Sequence, residues 1–211
     1  MKKLLVLSLA FVIIISALLL LAGCKKECDH SYEKTVTPPT CTAAGEERFS
    51  CTKCDHFYTA EIEATGVHDV QNGVCTACGS KESTPGLKYS QNDDGTYTAT
   101  GIGTCTETDI VIGIYNNRDV TAIGDHAFDQ CTSLTSIELP DSLITIGDRA
   151  FSYCDSLTSI VIPEGVTAIG GNAFYGCKSF TIYCEVAEEP DGWNSYWNFY
   201  NCPVVWGYTG E

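Results

Sequence analysis

VTAIGDHAFDQCTSLTSIELPDS, beginning at Val120, runs directly into LITIGDRAFSYCDSLTSIVIPEG from Leu143 and then into a shorter third copy, VTAIGGNAFYGCKSFTIYCEV, from Val166. At the interval of 23 residues so defined, Ile123, Ile146 and Ile169 return, as do Phe128, Phe151 and Phe174, then Cys131, Cys154 and Cys177, then Leu134, Leu157 and Phe180. A segment this short buries its apolar face only against another copy of itself. The period therefore predicts a solenoid of stacked coils in which equivalent side chains form ladders. Function is then left to the outer surface.

Within the period, Leu134, Ile137 and Leu139 spell L-x-x-I-x-L, the pattern of a leucine-rich repeat. The expected fold is mainly β with short helical turns, one short strand being legible in each repeat. Ile137 and Leu139 alternate with Ser136 and Glu138, and Ile160 and Ile162 with Ser159 and Val161, so the apolar members point into the coil. Pro140 and Pro163 stop these strands by removing an amide donor. Ile110 to Ile112 reads as the preceding strand. The third copy is one residue short within Phe180-Thr-Ile-Tyr-Cys184, compared with Leu157-Thr-Ser-Ile-Val-Ile162, and allowing for that deletion turns Ile182 and Cys184 inward and Tyr183 outward. The outward ladder is then Val111, Glu138, Val161 and Tyr183, our candidate partner-binding residues, because apolar and aromatic groups on an open strand face suit contact with another molecule. His126 takes the repeat position of Arg149 and Asn172 and reads as a variable surface residue.

The solenoid needs closing at both ends. Residues 87–119 form the expected N-terminal cap, with Leu87 to Tyr89 and Thr96 to Thr100 flanking an Asn92-Asp-Asp-Gly95 hairpin turn. The repeats occupy 120–186. Residues 187–211 carry Trp193, Trp197, Phe199, Tyr200, Trp206 and Tyr208, read as a C-terminal aromatic cap or, alternatively, as a carbohydrate platform. Cys184 and Cys202 flank this element, and their pairing is open. Cys131, Cys154 and Cys177 stand at one repeat position and read as small buried thiols.

A different unit precedes the linker at 82–86. Residues 28–81 hold Cys51-Thr-Lys-Cys54 and Cys75-Thr-Ala-Cys78, the spacing of a tetrahedral thiolate zinc site, with paired disulfides as the alternative. Two residues between thiolates let both reach one ion while turn amides bond to the sulfurs, and Gly79 suits the second knuckle. Cys28, His30, Cys41 and His68 form a second candidate set, with His56 competing. A unit of this size with few large apolar side chains needs such a staple, and a closed four-ligand site makes the zinc structural.

At the N-terminus, Lys2 and Lys3 precede an apolar run from Leu4 to Leu21 that ends in Leu21-Ala-Gly-Cys24. A charged start followed by an apolar middle is the layout of an export signal. The motif resembles a bacterial lipobox, which implies a signal peptide at 1–23, diacylglycerol on the Cys24 thiol and a short anchor at 24–27. An uncleaved transmembrane anchor is the other reading. Either places the remainder outside the membrane. Without residues 1–23 the chain retains 10 basic against 27 acidic side chains, a formal charge of −17. Nucleic acid is excluded as a partner, since phosphate binding needs a cationic footprint. There is no H-E-x-x-H, no G-x-S-x-G and no βαβ context around either C-x-x-C, so no enzyme is expected.

Residues 86–211 are similar to the BspA-like leucine-rich repeat family of bacterial surface proteins, through I-G-x-x-A-F-x-x-C-x-S-L-T-S-I-x-[IL]-P and the GWNSYWNFYNCPVVWGY ending. Residues 28–79 resemble the zinc-ribbon-like cysteine-rich segments found ahead of such repeats, with PTC, CTKC, a histidine and GVCTACG in order. Here Val67 stands between Gly66 and His68, where those segments place the glycine directly before the histidine. The resemblance implies a cell-surface lipoprotein that binds an extracellular protein. Capture of carbohydrate by the terminal aromatics is the runner-up.

Overall fold

The computed structural model describes residues 31–210, which fall into two compact units, 1–65 and 66–211. Cys24, Cys28, His30 and the apolar run at 4–21 lie outside the described residues.

The first unit is an antiparallel meander of β1 (Tyr32–Thr37), β2 (Gly45–Cys51) and β3 (Phe57–Ile62), in that order. Its register pairs Tyr32 with Cys51 and Ser50 with Phe57. The rings of Phe49 and Tyr58 stack at 4.7 Å between centroids, Tyr32 meets Tyr58 edge-on, and the Arg48 guanidinium lies 3.9 Å from the centre of Phe57. Every residue of β1 is exposed, and Gly45 alone is buried in the other two strands. Three strands without a dry face are marginal on their own.

The second unit opens with a small hairpin, β4 (Val70–Gln71) and β5 (Val74–Cys75), turned by Asn72 and Gly73 at φ of 54° and 78°. Both central residues at positive φ make the tight turn that Asn-Gly favours. Residues after it bond to the solenoid: Ser83 N–H donates to Ile114 O and Thr84 N–H to Val111 O, both at 2.9 Å. The expected capping hairpin follows as β6 (Lys88–Gln91) and β7 (Tyr97–Gly101).

The coils contribute two walls. One consists of β8 (Asp109–Val111) paired in parallel with β10 (Ser136–Glu138), and β12 (Ser159–Ile162), β14 (Thr181–Cys184) and β15 (Val204–Trp206) in a parallel sheet of order β12-β14-β15. The other stacks β9 (Val120–Ile123), β11 (Thr145–Ile146) and β13 (Ala168–Ile169) in parallel, with β7 and β6 extending it. Each repeat thus carries a second strand, at V-T-A-I or its equivalent, in addition to the one legible in the sequence. The expected helical turns are runs of i→i+3 bonds, such as Ala127 to Gly124 and Asp129 to His126, and there is no helix among the described residues.

The interior is dry and columnar. Phe128, Phe151 and Phe174 are buried and parallel, 5.5 and 5.8 Å apart, with interplanar angles of 5° and 3°. Cys154 Sγ donates to Phe128 O and Cys177 Sγ to Phe151 O, both at 3.1 Å. Burial pushes the Cys177 thiol up to about 11 and Cys184 to about 12, and it raises Cys154 as well. These thiols are packing groups, and Cys184 and Cys202 are both free. The glycine of the second and third I-G pairs is set by close approach: a Cβ on Gly147 or Gly170 would stand 2.5 Å from the backbone nitrogen of Asp125 or Asp148 in the coil before. The same aspartates bond across, Asp125 Oδ1 accepting from Asp148 N–H and Asp148 Oδ1 from Gly171 N–H. At the far end Trp193 and Trp197 are buried, Trp193 donating from Nε1 to Val166 O at 3.1 Å and Trp197 meeting Phe174 edge-on. Trp193 and Trp197 thus pack onto this end of the core, while Tyr196, Phe199 and Tyr200 are exposed.

Candidate metal centre and partner face

In the second unit, the β4–β5 hairpin sets Cys75 at the end of β5, and the chain then curls so that Gly79 N–H returns to Cys75 O at 2.9 Å. Gly79 adopts φ of 78°, as a tight knuckle requires. This brings Cys78 beside His68, with Sγ 3.4 Å from Nδ1. One ligand atom from each of His68, Cys75 and Cys78 lies within 4.8 Å of the others. His68 is 2% exposed and is held from behind: its backbone N–H donates to Asn117 O, and Nε2 lies 2.9 Å from Asp119 Oδ1. That contact leaves Nδ1 to face the thiols, since a carboxylate behind the ring fixes the orientation of a ligating imidazole. Cys78 Sγ also lies 3.3 Å from Ser80 Oγ.

The electrostatics suit a cation. Burial alone would raise the Cys75 thiol, but hydrogen bonds from the backbone of Cys78 and Ala77, with further bonds to His68 and Cys78, bring it down to about 6. Burial pulls His68 downward, and Cys75, Asp119 and Cys78 together hold it above its ordinary value. Two sulfurs, one of them a thiolate at neutral pH, and an oriented imidazole form a donor set able to hold a metal ion.

The other candidate ligands lie in the first unit. Cys41 is buried. Cys51 and Cys54 occupy the turn between β2 and β3, where Lys53 N–H points at Cys51 Sγ at 3.4 Å and Cys51 N–H donates to His56 O. His56 Nδ1 lies 3.0 Å from the Tyr32 hydroxyl. Asp119 and Ser80 carried no signal in the sequence: nothing in an isolated aspartate ahead of a strand announces that it orients a histidine 51 residues earlier.

On the strand walls, Glu138 pairs with Val111 across β10 and β8, and Val161 with Tyr183 across β12 and β14, Tyr183 pairing in turn with Val205. Glu138 and Val161 are exposed, as is Val205 at 41%, and Val111 and Tyr183 are half-buried; β10 and β12 are not hydrogen-bonded neighbours, so the ladder is two groups of rungs. Lys81 bonds Glu138 at 2.7 Å, with both side chains more than half exposed. A cavity of about 180 Å³ lies between this face and the metal ligands, lined by Cys78, Lys81, Val111, Asp119 and Glu138 among others. His126 is exposed, with Nδ1 3.3 Å from Asp129 Oδ2. Near the cap Tyr153, Tyr196, Phe199 and Tyr200 are exposed, although Trp193 and Trp197 are not.

Residues 105–203 match the BspA type leucine rich repeat region in six copies. Among solved structures, a leucine rich repeat protein of T. pallidum is 27% identical with a TM-score of 0.44, over 49% of this chain and 53% of that one. A leucine-rich repeat protein from Bacteroides capillosus is 25% identical at a TM-score of 0.37, over 50% and 97%. A leucine rich cell surface protein from Faecalibacterium prausnitzii is 22% identical at 0.39, over 70% and 43%. The chain thus spans about half the length of the treponemal protein. No curated protein matches the chain.

Proposed function

We propose that this chain is a lipid-anchored module on the bacterial cell surface that presents its solenoid to an extracellular protein. The observation that supports the reading is the strand wall, where Val111, Glu138, Val161 and Tyr183 are exposed or half-buried outside a closely packed core. A repeat scaffold of this type is ordinarily a binding surface without catalytic groups. The anchor rests on Leu21-Ala-Gly-Cys24, and among the described residues no helix is long and apolar enough to cross a membrane. The metal at His68, Cys75 and Cys78 is zinc in a structural role, given thiolate and imidazole donors. Excess acidity excludes nucleic acid from the partners.

The test is binding of the full chain to immobilised extracellular matrix and bacterial surface proteins, with Val111, Glu138, Val161 and Tyr183 changed together to serine. Loss of binding with an unchanged unfolding midpoint supports the face; undiminished binding removes it. Mass spectrometry of the N-terminal peptide checks for diacylglycerol on Cys24. A second reading, carbohydrate capture, moves to the exposed rings of Tyr153, Tyr196, Phe199 and Tyr200, which border a groove of about 510 Å³ with Lys178 and Asn201. Silence on a glycan array ends it.

A further inference from the structure

Within the second unit, a strap of residues 81–84 runs between the metal knuckle and the partner face and is bonded on both sides. Toward the knuckle, Val74 and Lys81 form an antiparallel bridge, while Glu82 N–H donates to Gly73 O and Cys75 N–H to Ser80 O, both at 2.8 Å. Toward the solenoid, Ile114 N–H donates to Lys81 O at 2.8 Å, and Ser83 and Thr84 N–H donate to Ile114 O and Val111 O. Their hydroxyls accept in return: Ser83 Oγ from Gly113 N–H at 2.9 Å and Thr84 Oγ1 from Val111 N–H at 2.8 Å. The fit is close, since a Cβ on Gly113 would collide with Lys81 O. The strap thus covers the edge that β8 leaves open on the side away from β10, and it sets Lys81 against Glu138 on the outward row.

No large apolar side chain holds the knuckle side of this arrangement. In residues 66–86 only His68, Cys75 and Ser83 are buried, and each strand of the β4–β5 hairpin is two residues long. A hairpin of that size does not persist on backbone bonds alone. A metal ion binds the closed knuckle in preference to the open one, so its presence shifts the equilibrium of every segment that opens with the knuckle. We propose that metal occupancy at His68, Cys75 and Cys78 regulates the partner face: the occupied knuckle holds the strap on β8 and completes the Val111 and Glu138 end of the wall, whereas loss of the ion frees the strap and weakens capture of the protein partner. The inference rests on both the metal reading and the partner reading given above.

The experiment is hydrogen exchange on the full chain in detergent, zinc-loaded and chelator-stripped, beside capture on the same panel of immobilised extracellular matrix and bacterial surface proteins. With zinc at about 100 times its dissociation constant, the amides of residues 82–84, Val111 and Ile114 should exchange about 100-fold more slowly than in the stripped chain, those of β12 being unchanged, and capture should fall on stripping. Gly113→Ala forces the strap away without touching a metal donor, so it should retain zinc yet exchange and capture like the stripped chain. Zinc bound with equal strap protection in both states overturns the proposal and leaves the metal centre standing. Protection that follows zinc, with capture undiminished in the stripped chain, overturns it and leaves the partner face standing. Protection that follows zinc with no protein captured in either state defeats the partner reading and the proposal together, and no zinc in the unchanged chain defeats the metal reading and the proposal together.

Discussion

Phe151 lies between two parallel rings and has no exposed surface, so Phe151→Ala empties the middle of the column without any route for collapse. The expected cost is about 3–5 kcal/mol, read as a lowered urea midpoint with little change in slope. Cys154, Cys177 and Cys184 are held as neutral thiols by burial, and thiolate is the reactive form. At pH 8 a disulfide reagent should label none of the three in the native chain and all of them in denaturant; labelling before unfolding would contradict the dry interior. Asp119 acts on the metal only through His68. Asp119→Asn should therefore weaken metal affinity by about 10–100-fold while leaving the solenoid's unfolding midpoint near its starting value, measurable by competition with a chelator of known affinity.

At the level of elements, each coil is closed by a bend whose residues take the left-handed conformation: His126, Arg149 and Asn172 at one position, Gln130, Tyr153 and Gly176 at another. Such residues cost roughly 1–2 kcal/mol each outside glycine and asparagine. Gln130→Asn should raise stability by about 0.5 kcal/mol, seen as a small upward shift in melting temperature. Gly147→Ala should do the opposite, since its Cβ would press on the backbone of the coil before. The coils were legible in the sequence because Ile, Phe and Leu recur at a fixed interval and because Pro140 and Pro163 mark strand ends. The strands β9, β11 and β13 were not. Two of them are two residues long and all end directly before glycine, so no alternation develops along them. The β4–β5 hairpin was missed for the same reason, despite its Asn72-Gly73 turn. Of the metal centre, the spacing of Cys75 and Cys78 was visible. Their partnership with His68 was not, because it depends on Asn117 and Asp119 receiving the histidine from far along the chain.

For the whole molecule, the two units owe their order to different forces. The second has a column of buried aromatic and aliphatic groups, and the first has exposed strands and, among its described residues, three thiols. Removing metal should release amide protons of β4 and β5, which carry Cys75, to exchange while those of β9 to β14 stay protected, a contrast that hydrogen exchange resolves segment by segment. Equal loss of protection throughout would mean that the solenoid also depends on the ion. The unbroken ring column has one more implication. A tandem duplication of residues 143–165 would bring its own Phe, Ile and Leu to the stack and its own outward valine to the wall, so descendants of this gene can lengthen their reach in increments of one coil while both end pieces go unaltered.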